Sequence, residues 1–463
     1  MRLDEIFKTD IGRTINPVVK VADQNEEQLR EEVDSYVVTE VIERYIEDFL
    51  NHYAETRLKD TDQIGVWLYG FVGAGKSHFA KLIGLLLSNP VISGQAAIDR
   101  FLPRIQTCRR PREIERLLFE IRNNISTIVI PFHIGSEADQ VKEENVCRIF
   151  HRVFLRHLGL SEDFRIASVE QTLIHAGKYE EFKKTIRANT GEEWEEVRKP
   201  DYWDLYRQEI FKALADILPS SYTSAEDARQ AFESKVPHLS IHSFAEYVRD
   251  YVEQINEQDR NKEHRLVFIV DELGAFIADS GKKLHDIGTL AEELGKVGKG
   301  KVWIFATGHH SVKDIVENAR EFDGDRVWLE GRFHLRFQLT SENIEEVLEE
   351  RLFRKNTKGE SALNKLYSEK QGAIAELGRL TKTSRTLRTY DQSSFISCYP
   401  FRPYQTVLVH EIVQQIRTAG GRTDVLTGST RTILALTQGI LKSESRSDIG
   451  YLVPFSKFFE QLQ

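Results

Sequence analysis

The glycine-rich stretch GFVGAGKS, residues 70–77, contains the residues whose types and spacing most directly indicate chemistry. It satisfies the phosphate-loop pattern G-x-x-x-x-G-K-[ST], follows an apolar run and precedes a helical pattern, as this motif requires. In such a loop, backbone N–H groups turn toward phosphate oxygens, the lysine contacts the β and γ phosphates, and the serine ligates Mg²⁺. The sequence therefore predicts a site for ATP and Mg²⁺. The loop residues expected to contact the nucleotide are Gly70, Gly73, Ala74, Gly75, Lys76, Ser77 and His78.

Two adjacent carboxylates end the apolar run RLVFIVDE, residues 265–272. We expect Asp271 to join Ser77 in the Mg²⁺ shell and Glu272 to polarise the water that attacks the γ-phosphate. Acidic pairs at strand ends are also common without catalysis, and it is the upstream phosphate loop that favours the catalytic interpretation. The sequence thus predicts ATP hydrolysis, with Lys76 and Glu272 among the catalytic residues.

The next apolar run ends in Thr307, followed by Gly308 and His309. We predict that the Thr307 hydroxyl lies beside the carboxylate strand and orients the attacking water; a strand-ending threonine in a turn is the alternative. His309 and His310 are adjacent and are expected to point apart, which argues against a metal site there.

Two arginines are candidates for contacts with the γ-phosphate, because a guanidinium group stays charged and bonds bidentately. We predict that Arg332, in EGRFHLRF, reaches the nucleotide of a neighbouring subunit, so that hydrolysis depends on assembly. A plain surface ion pair is the alternative, and Arg326 or Arg336 could take the same role. Arg431, in GSTRTILALTQ, is the weaker candidate, expected to fold over the phosphates of its own chain.

Five apolar runs are the elements that must position these residues. Four of them lack polar alternation, which is typical of strands covered on both faces in a parallel sheet, and the fifth alternates as an edge strand does. They are IGVWLY (64–69), STIVIPF (126–132), RLVFIVDE (265–272), KVWIFATG (301–308) and FHLRFQL (333–339). Helical patterns lie between them, so the predicted class is α/β. The order of parts is analogous to that of the AAA+ ATPases, which favours a homo-oligomer.

The sequence divides into a lead-in with helices over residues 1–60, an ATPase core over 61–340 and a helical lid over 341–463. Residues 136–261 are far longer than a crossover requires and read as a helical insertion within the core. The chain ends on the apolar segment YLVPFSKFFEQLQ. We expect this segment to continue into a longer protein or to dock on another chain.

Composition restricts the class of protein. A net charge of −9 argues against a surface that is basic throughout, although residues 376–431 carry eight Arg or Lys against four Asp or Glu. With TKTSRTLRTY (381–390), this local excess motivates a hypothesis of DNA contact; a solvated helical surface is the alternative.

No run approaches the ~18 apolar residues of a membrane span, so we expect no membrane contact and a cytoplasmic protein. Three widely spaced cysteines indicate neither a disulfide framework nor a zinc site.

The sequence also resembles a narrower family, the BrxC/PglY P-loop ATPases of BREX bacteriophage-exclusion systems. The likeness is dense over residues 3–89, especially in INPVVKVADQ and its spacing to the phosphate loop, and recurs in SCYPFRPYQ (397–405) and STRTILALTQ. The resemblance implies a phage-defence ATPase that works with a methyltransferase and other system components. It assigns the phosphate-loop and acidic roles to Gly75, Lys76, Ser77, Asp271 and Glu272. It also implies base contacts by Asn16, Pro17 and Val18.

Two other functions fit part of these observations. A nucleotide-gated scaffold would bind ATP and close its lid with little turnover, but it has little need for Glu272. A small-molecule phosphotransferase is the third alternative, and the sequence lacks a distinct acceptor-pocket signature for it.

Overall fold

The computed structural model describes residues 1–13, 19–71, 73–234, 240–278, 280–318, 326–340, 342–377, 390–418 and 433–462. Its strands are β1 (Gly65–Gly70), β2 (Val91–Ile92), β3 (Gln95–Ala96), β4 (Ile125–His133), β5 (Glu263–Asp271), β6 (Val302–Gly308) and β7 (Leu335–Leu339). Five of them form a parallel sheet in the order β4-β5-β6-β1-β7, and β2 and β3 form a separate antiparallel hairpin. The five sheet strands coincide with the five apolar runs of the sequence.

The strand order brings the predicted chemistry together. Strand β6 lies between β1, which leads into the phosphate loop, and β5, which ends in Asp271. Because the strands are parallel, their carboxyl ends meet at one edge of the sheet, where ligands bind in open α/β sheets. Every residue of β6 is buried, as expected for a central strand covered on both faces. The predicted α/β class, with a parallel sheet core, a helical insertion and a helical C-terminal domain, is confirmed.

Helices cover both faces of the sheet and build two further bodies. The helices before the insertion are α1 (Glu26–Asp34), α2 (Glu40–Glu55), α3 (Lys76–Ser88), α4 (Ala97–Phe101), α5 (Pro111–Asn124), α6 (Ile134–Val141) and α7 (Val146–His157). The insertion contains α8 (Phe164–His175), α9 (Tyr179–Thr190), α10 (Trp194–Val197), α11 (Pro200–Trp203), α12 (Arg207–Ile217) and α13 (Ala225–Ser234). The core resumes with α14 (Ile241–Gln258), α15 (Leu273–Ile277), α16 (Gly281–Gly298), α17 (Val312–Asn318) and α18 (Arg326–Arg332). The lid contains α19 (Glu342–Leu348), α20 (Thr357–Leu377), α21 (Gln392–Cys398), α22 (Pro403–Thr418), α23 (Ile433–Ser443) and α24 (Ser456–Leu462).

The helical insertion has its own hydrophobic core, but it is shorter than the sequence suggests. Its buried cluster begins at Ile166 and ends at Phe232, with Trp194 fully buried near the centre. In contrast, α7 and α14 pack into the main core through residues such as Phe150 and Phe244. The separate subdomain therefore comprises α8 to α13, and the two flanking helices belong to the covering of the sheet.

The first thirteen residues belong to the lid. Leu3, Ile6, Phe7 and Ile11 are buried in one cluster with apolar lid residues from Leu348 to Phe458. Backbone hydrogen bonds fix this segment at two places, from Leu3 N to the Ser447 carbonyl (2.9 Å) and from Lys8 N to the Arg354 carbonyl (2.7 Å). The helices α1 and α2 instead contribute to the main core. The structure thus divides residues 1–60 between two bodies, whereas the sequence suggested one lead-in.

The apolar segment at the end of the sequence packs within the same chain. Val453 and Phe458 are buried in the lid cluster, while Phe459 is 46% exposed. Most of the apolar face that the sequence left without a partner is therefore covered by the lid itself. Among the residues that the structure describes, no helix has both the length and the apolar character needed to cross a membrane.

Candidate active site

The loop between β1 and α3 has the backbone that a phosphate loop needs. Gly73 and Gly75 have φ angles of 88° and 90°, a region that residues with side chains rarely adopt. At Gly70 a Cβ would lie only 2.4 Å from the Leu339 carbonyl oxygen, so the close approach of β7 requires glycine there. Gly75 directly precedes α3, so the N-terminus of that helix opens onto the loop. Val72 lies outside the described residues.

Lys76 is the buried cation of this loop. Its ammonium group donates to the carbonyls of Gly70 and Phe71, both at 3.0 Å, and the residue is only 5% exposed. Burial lowers the pKa of Lys76, and the negative charges of Glu272 and Asp271 oppose that shift. The Lys76 ammonium group is therefore buried within the phosphate loop, near the carboxylates of Asp271 and Glu272.

Ser77, Asp271 and Thr307 meet at a single oxygen atom. The Ser77 hydroxyl donates to Asp271 Oδ1 at 3.0 Å, and the buried Thr307 hydroxyl donates to the same oxygen at 2.7 Å. Thr307 Oγ1 also accepts a hydrogen bond from the Glu272 backbone N–H at 2.9 Å. Since a hydroxyl has one proton, Thr307 has none left to donate to a water. Its observed contacts fix the end of β5, a different role from the predicted orientation of the attacking water.

Glu272 is held in an unusual conformation at the end of β5. Its backbone is left-handed, with φ 59° and ψ 25°, and its carboxylate remains 28% exposed. Burial is the largest influence on the pKa of Glu272 and raises it, but the combined lowering by the neighbours His309, Lys76 and His133, led by His309, outweighs burial. The net pKa lies below the usual range of a glutamate. The carboxylate is therefore ionised at neutral pH and can accept a hydrogen bond from a water.

His309 is a site residue that the sequence analysis missed. Its Nε2 lies 2.9 Å from Glu272 Oε2, and its Nδ1 lies 3.3 Å from Lys76 Nζ. The turn that carries it is anchored by Trp67, whose indole N–H donates to the His310 carbonyl at 3.0 Å. The sequence signal was its position two residues after Thr307, but it was considered there only as a metal ligand.

The side chain of His78 faces away from the phosphates, contrary to its prediction as a nucleotide contact. Its Nε2 lies 3.1 Å from the Glu32 carbonyl, and its ring packs edge-on against Tyr36 with the centroids 4.6 Å apart. Burial, aided by the charge of Arg351, lowers the pKa of His78 to about 3. The imidazole is therefore neutral and joins α3 to α1, so only its backbone is left as a candidate contact.

Ser77 and Asp271 suit Mg²⁺ by their chemistry. Both present oxygen ligands, and Mg²⁺ in nucleotide sites takes one or two protein oxygens together with phosphates and water. The two oxygens already lie 3.0 Å apart. Within the described ranges, no group of three or more His, Cys, Asp or Glu side chains is arranged to hold a metal. The residues present thus fit a nucleotide-associated Mg²⁺ better than a metal bound by protein alone.

Arg332 lies at the opposite edge of its own sheet. Its backbone carbonyl abuts Gly65, the first residue of β1, and its guanidinium pairs with Glu292 at 3.1 Å and Asp62 at 3.8 Å. The phosphate loop follows the other end of β1, about 17 Å away at ~3.3 Å per residue. Arg332 therefore cannot reach the phosphates of its own chain, and its role toward a neighbouring subunit stays a prediction. Arg336 is paired with Glu330 at 2.9 Å.

Several predicted contacts lie outside the described residues. These are Asn16, Pro17, Val18 and Arg431, together with all but the last residue of TKTSRTLRTY. The chain on either side of residues 14–18 is described: Ile11 is buried in the lid and Val21 in the main core. The described residues on the two sides of this gap therefore pack in different clusters.

Comparison with known proteins adds little to this geometry. No family model matches the chain. A solved structure of the Aeropyrum pernix ORC1 protein in complex with DNA is similar at 12% identity, with 93% of this chain and 85% of that chain covered and a TM-score of 0.28. A similarity this low supports no argument about function, so the assignment of the site rests on the strand order and on the contacts described above.

Proposed function

We propose that this protein binds Mg²⁺ and ATP and hydrolyses the nucleotide. The observation that carries the proposal is the convergence of three groups: Lys76 inside the phosphate loop, the joined oxygens of Ser77 and Asp271, and the carboxylate of Glu272. Phosphoryl transfer depends mainly on positioning and charge, and these groups supply both.

The mechanism follows from what each residue can do. Backbone N–H groups at the start of α3 would bind the β and γ phosphates, and Lys76 would join them by exchanging its hydrogen bonds to the Gly70 and Phe71 carbonyls for phosphate oxygens. Ser77 and Asp271 would hold Mg²⁺, which would supply positive charge near the phosphate oxygens. Glu272 accepts a hydrogen bond from the attacking water and aligns it with the γ-phosphate. Thr307 keeps Asp271 and Glu272 in register through its two hydrogen bonds.

Replacement of Glu272 by Gln tests hydrolysis directly. We expect Glu272→Gln to bind a fluorescent ATP analogue as the wild type does but to release phosphate at least ~100-fold more slowly, because general-base catalysis contributes on that order. Glu257→Gln, at an exposed position of α14, is the matched control and should leave both quantities unchanged. Equal phosphate release by the wild type and Glu272→Gln at saturating ATP would favour the nucleotide-gated scaffold instead.

We also propose that the protein forms a homo-oligomer in which Arg332 contacts the nucleotide of the adjacent subunit. Arg332 is fixed by two acidic partners at the edge of the sheet opposite its own phosphate loop, a position compatible with action on a neighbour. Solution mass with and without a non-hydrolysable ATP analogue tests the assembly. If the analogue leaves the mass at that of one chain, the role of Arg332 between subunits is excluded.

The biological setting is proposed from the sequence resemblance alone. The likeness of residues 3–89 to BrxC/PglY ATPases supports a role in a BREX phage-defence system, alongside a methyltransferase and in contact with DNA. Binding to duplex DNA should weaken steeply as salt rises, because phosphate contacts release counterions. Binding that is insensitive to salt, or absent at low salt, would contradict the DNA hypothesis.

A further inference from the structure

The end of β6 holds Glu272 at two points. Thr307 accepts a hydrogen bond from the Glu272 backbone N–H at 2.9 Å, and His309, two residues later, lies 2.9 Å from the Glu272 carboxylate. The first contact fixes the left-handed backbone and the second can fix the rotation of the side chain. Glu272 Oε2 is buried and has no other hydrogen-bond partner, so His309 Nε2, 2.9 Å away, is the group positioned to pair with it.

The partners of His309 determine which ring nitrogen carries the proton. An ammonium group has three N–H donors and no acceptor. Lys76 directs these donors at the Gly70 carbonyl, the Phe71 carbonyl and His309 Nδ1, at 3.0, 3.0 and 3.3 Å. Nδ1 must therefore accept, and the proton of a neutral imidazole must lie on Nε2, which faces a carboxylate that can only accept. Both neighbours require the same tautomer.

We propose that His309 is a positioning residue for hydrolysis, which aims the Glu272 carboxylate by donating from Nε2 while Nδ1 accepts from Lys76. This inference rests on the proposed ATPase function and adds a residue to it. The imidazole links the lysine that binds phosphate to the carboxylate that activates water. The orientation of the Glu272 carboxylate therefore depends on the position of the Lys76 ammonium group.

The turn after β6 is built to place this ring. Gly308 packs so closely against Gly274 that a Cβ on Gly274 would lie 2.7 Å from the Gly308 Cα. Trp67 then fixes the backbone at His310. These contacts fix the backbone of the turn that carries His309, whose side chain lies 2.9 Å from Glu272 and remains 30% exposed.

Steady-state ATP hydrolysis by three His309 variants distinguishes the contact of the ring with Glu272 from its contact with Lys76. His309→Ala should lower kcat about ten- to a hundredfold, the range expected when a charge-assisted hydrogen bond is lost, with little change in KM. His309→Gln should recover much of kcat, because its longer side chain brings an N–H donor to the carboxylate. His309→Asn, whose amide reaches only toward Lys76, should stay close to His309→Ala. His310→Ala, at the exposed neighbouring position, is the control and should match the wild type.

The same series identifies the outcomes that would overturn the proposal. A His309→Ala variant that hydrolyses ATP at the wild-type rate or faster excludes positioning by His309, and so does a His309→Gln variant as slow as His309→Ala. If the wild type itself releases no phosphate, the ATPase function fails, and the contacts of His309 need a readout of another kind.

Histidine-selective ¹⁵N NMR supplies that readout without hydrolysis. The signals of His309 are assigned by their absence from His309→Gln. We expect a protonated Nε2 and an unprotonated Nδ1 in the wild type at neutral pH, and a loss of this preference in Lys76→Met, which cannot donate. A wild-type ring protonated on Nδ1 would exclude the contact between His309 and Lys76, and with it the proposal.

Discussion

Ser77 Oγ and Asp271 Oδ1 are joined by a hydrogen bond of 3.0 Å, although 194 positions separate the two residues in the sequence. The contact arises because α3 begins, and β5 ends, at the same edge of the sheet. Two oxygens at this distance can share one Mg²⁺ once the serine proton turns away. The pair therefore links the fold to the predicted metal dependence of nucleotide binding.

Replacing Asp271 by Asn should remove the dependence of ATP affinity on Mg²⁺. The amide keeps the size of the side chain but removes the negative charge that attracts the cation, and hard cations prefer carboxylate oxygens. We expect fluorescent-nucleotide titrations to show at least ~10-fold weaker binding with Mg²⁺, a loss of about 1.4 kcal/mol. With EDTA in place of Mg²⁺ the two proteins should bind similarly. Asp201→Asn, at an exposed position of α11, is the control, and an Asp271→Asn variant that retains the full Mg²⁺ effect would contradict the assignment.

Replacing Thr307 by Val should both destabilise the protein and slow hydrolysis. Thr307 is fully buried, and valine has nearly its shape but cannot bond to Asp271 or to the Glu272 N–H. An unsatisfied buried group costs about 1–3 kcal/mol, so thermal unfolding should shift down by several degrees. Thr307→Ser, which keeps the hydroxyl, should show a smaller shift and retain hydrolysis. If valine and serine behave alike in both assays, the hydroxyl has no part in holding the end of β5.

The sheet and the central residues of the candidate site could be predicted from the sequence because they depend on short motifs and on the local pattern of apolar residues. Five apolar runs predicted the five strands. Known motifs placed Lys76 and Ser77 at the start of the helix after the first strand, and Asp271 and Glu272 at the end of another strand. His309 was missed because its approach to Glu272 depends on a tight turn and on a tryptophan more than two hundred residues earlier in the chain. Such a contact leaves no periodic signal.

Two other features depend on long-range packing that no local pattern reports. The position of Arg332 at the far edge of the sheet follows from the register of β7 against β1, in which Leu335 pairs with Val66. The packing of residues 1–13 in the lid depends on partners more than three hundred positions away, such as Arg354 and Ser447. Neither could be predicted from the sequence alone.

We expect the free energy of unfolding of the lid to increase with pH because of the buried Lys355. Its ammonium is buried, donates to the carbonyls of Phe353 and Ser397, and lies 5.3 Å from the centroid of the Phe7 ring. Burial lowers the pKa of Lys355 to about 7, against the opposing charges of Cys398, Glu349 and Glu360. In the unfolded chain the lysine titrates near 10.4. Between about pH 7 and this value the unfolded state binds a proton that the folded state has released, so the free energy of unfolding increases with pH.

Lys355→Met isolates this effect, because methionine fills the space without a titratable group. The measurement is chemical unfolding followed by circular dichroism at several pH values. The unfolding free energy of the variant minus that of the wild type should be larger at pH 7 than at pH 10. Between these pH values, this difference in unfolding free energy should change by on the order of a few kcal/mol, since one pKa unit corresponds to about 1.4 kcal/mol. Lys358→Met, exposed on α20, should follow the wild type at every pH. A pH-independent difference for Lys355→Met would show that Lys355 stays protonated in the folded lid.

A charge placed at Ile6 should unfold the lid while the sheet core survives. Ile6 is fully buried in the lid cluster, and its carbonyl accepts a hydrogen bond from Asn356 N at 2.9 Å. A carboxylate at this position would lie unpaired among apolar side chains, which costs several kcal/mol. We expect limited trypsinolysis of Ile6→Asp to cleave within residues 342–462 much faster than in the wild type, with the fragment that contains the sheet still protected. Lys8→Asp, at an exposed position of the same segment, should be cleaved like the wild type. Equal loss of protection in both bodies would mean that the lid and the core unfold as one unit, and unchanged protection would mean that residues 1–13 do not stabilise the lid.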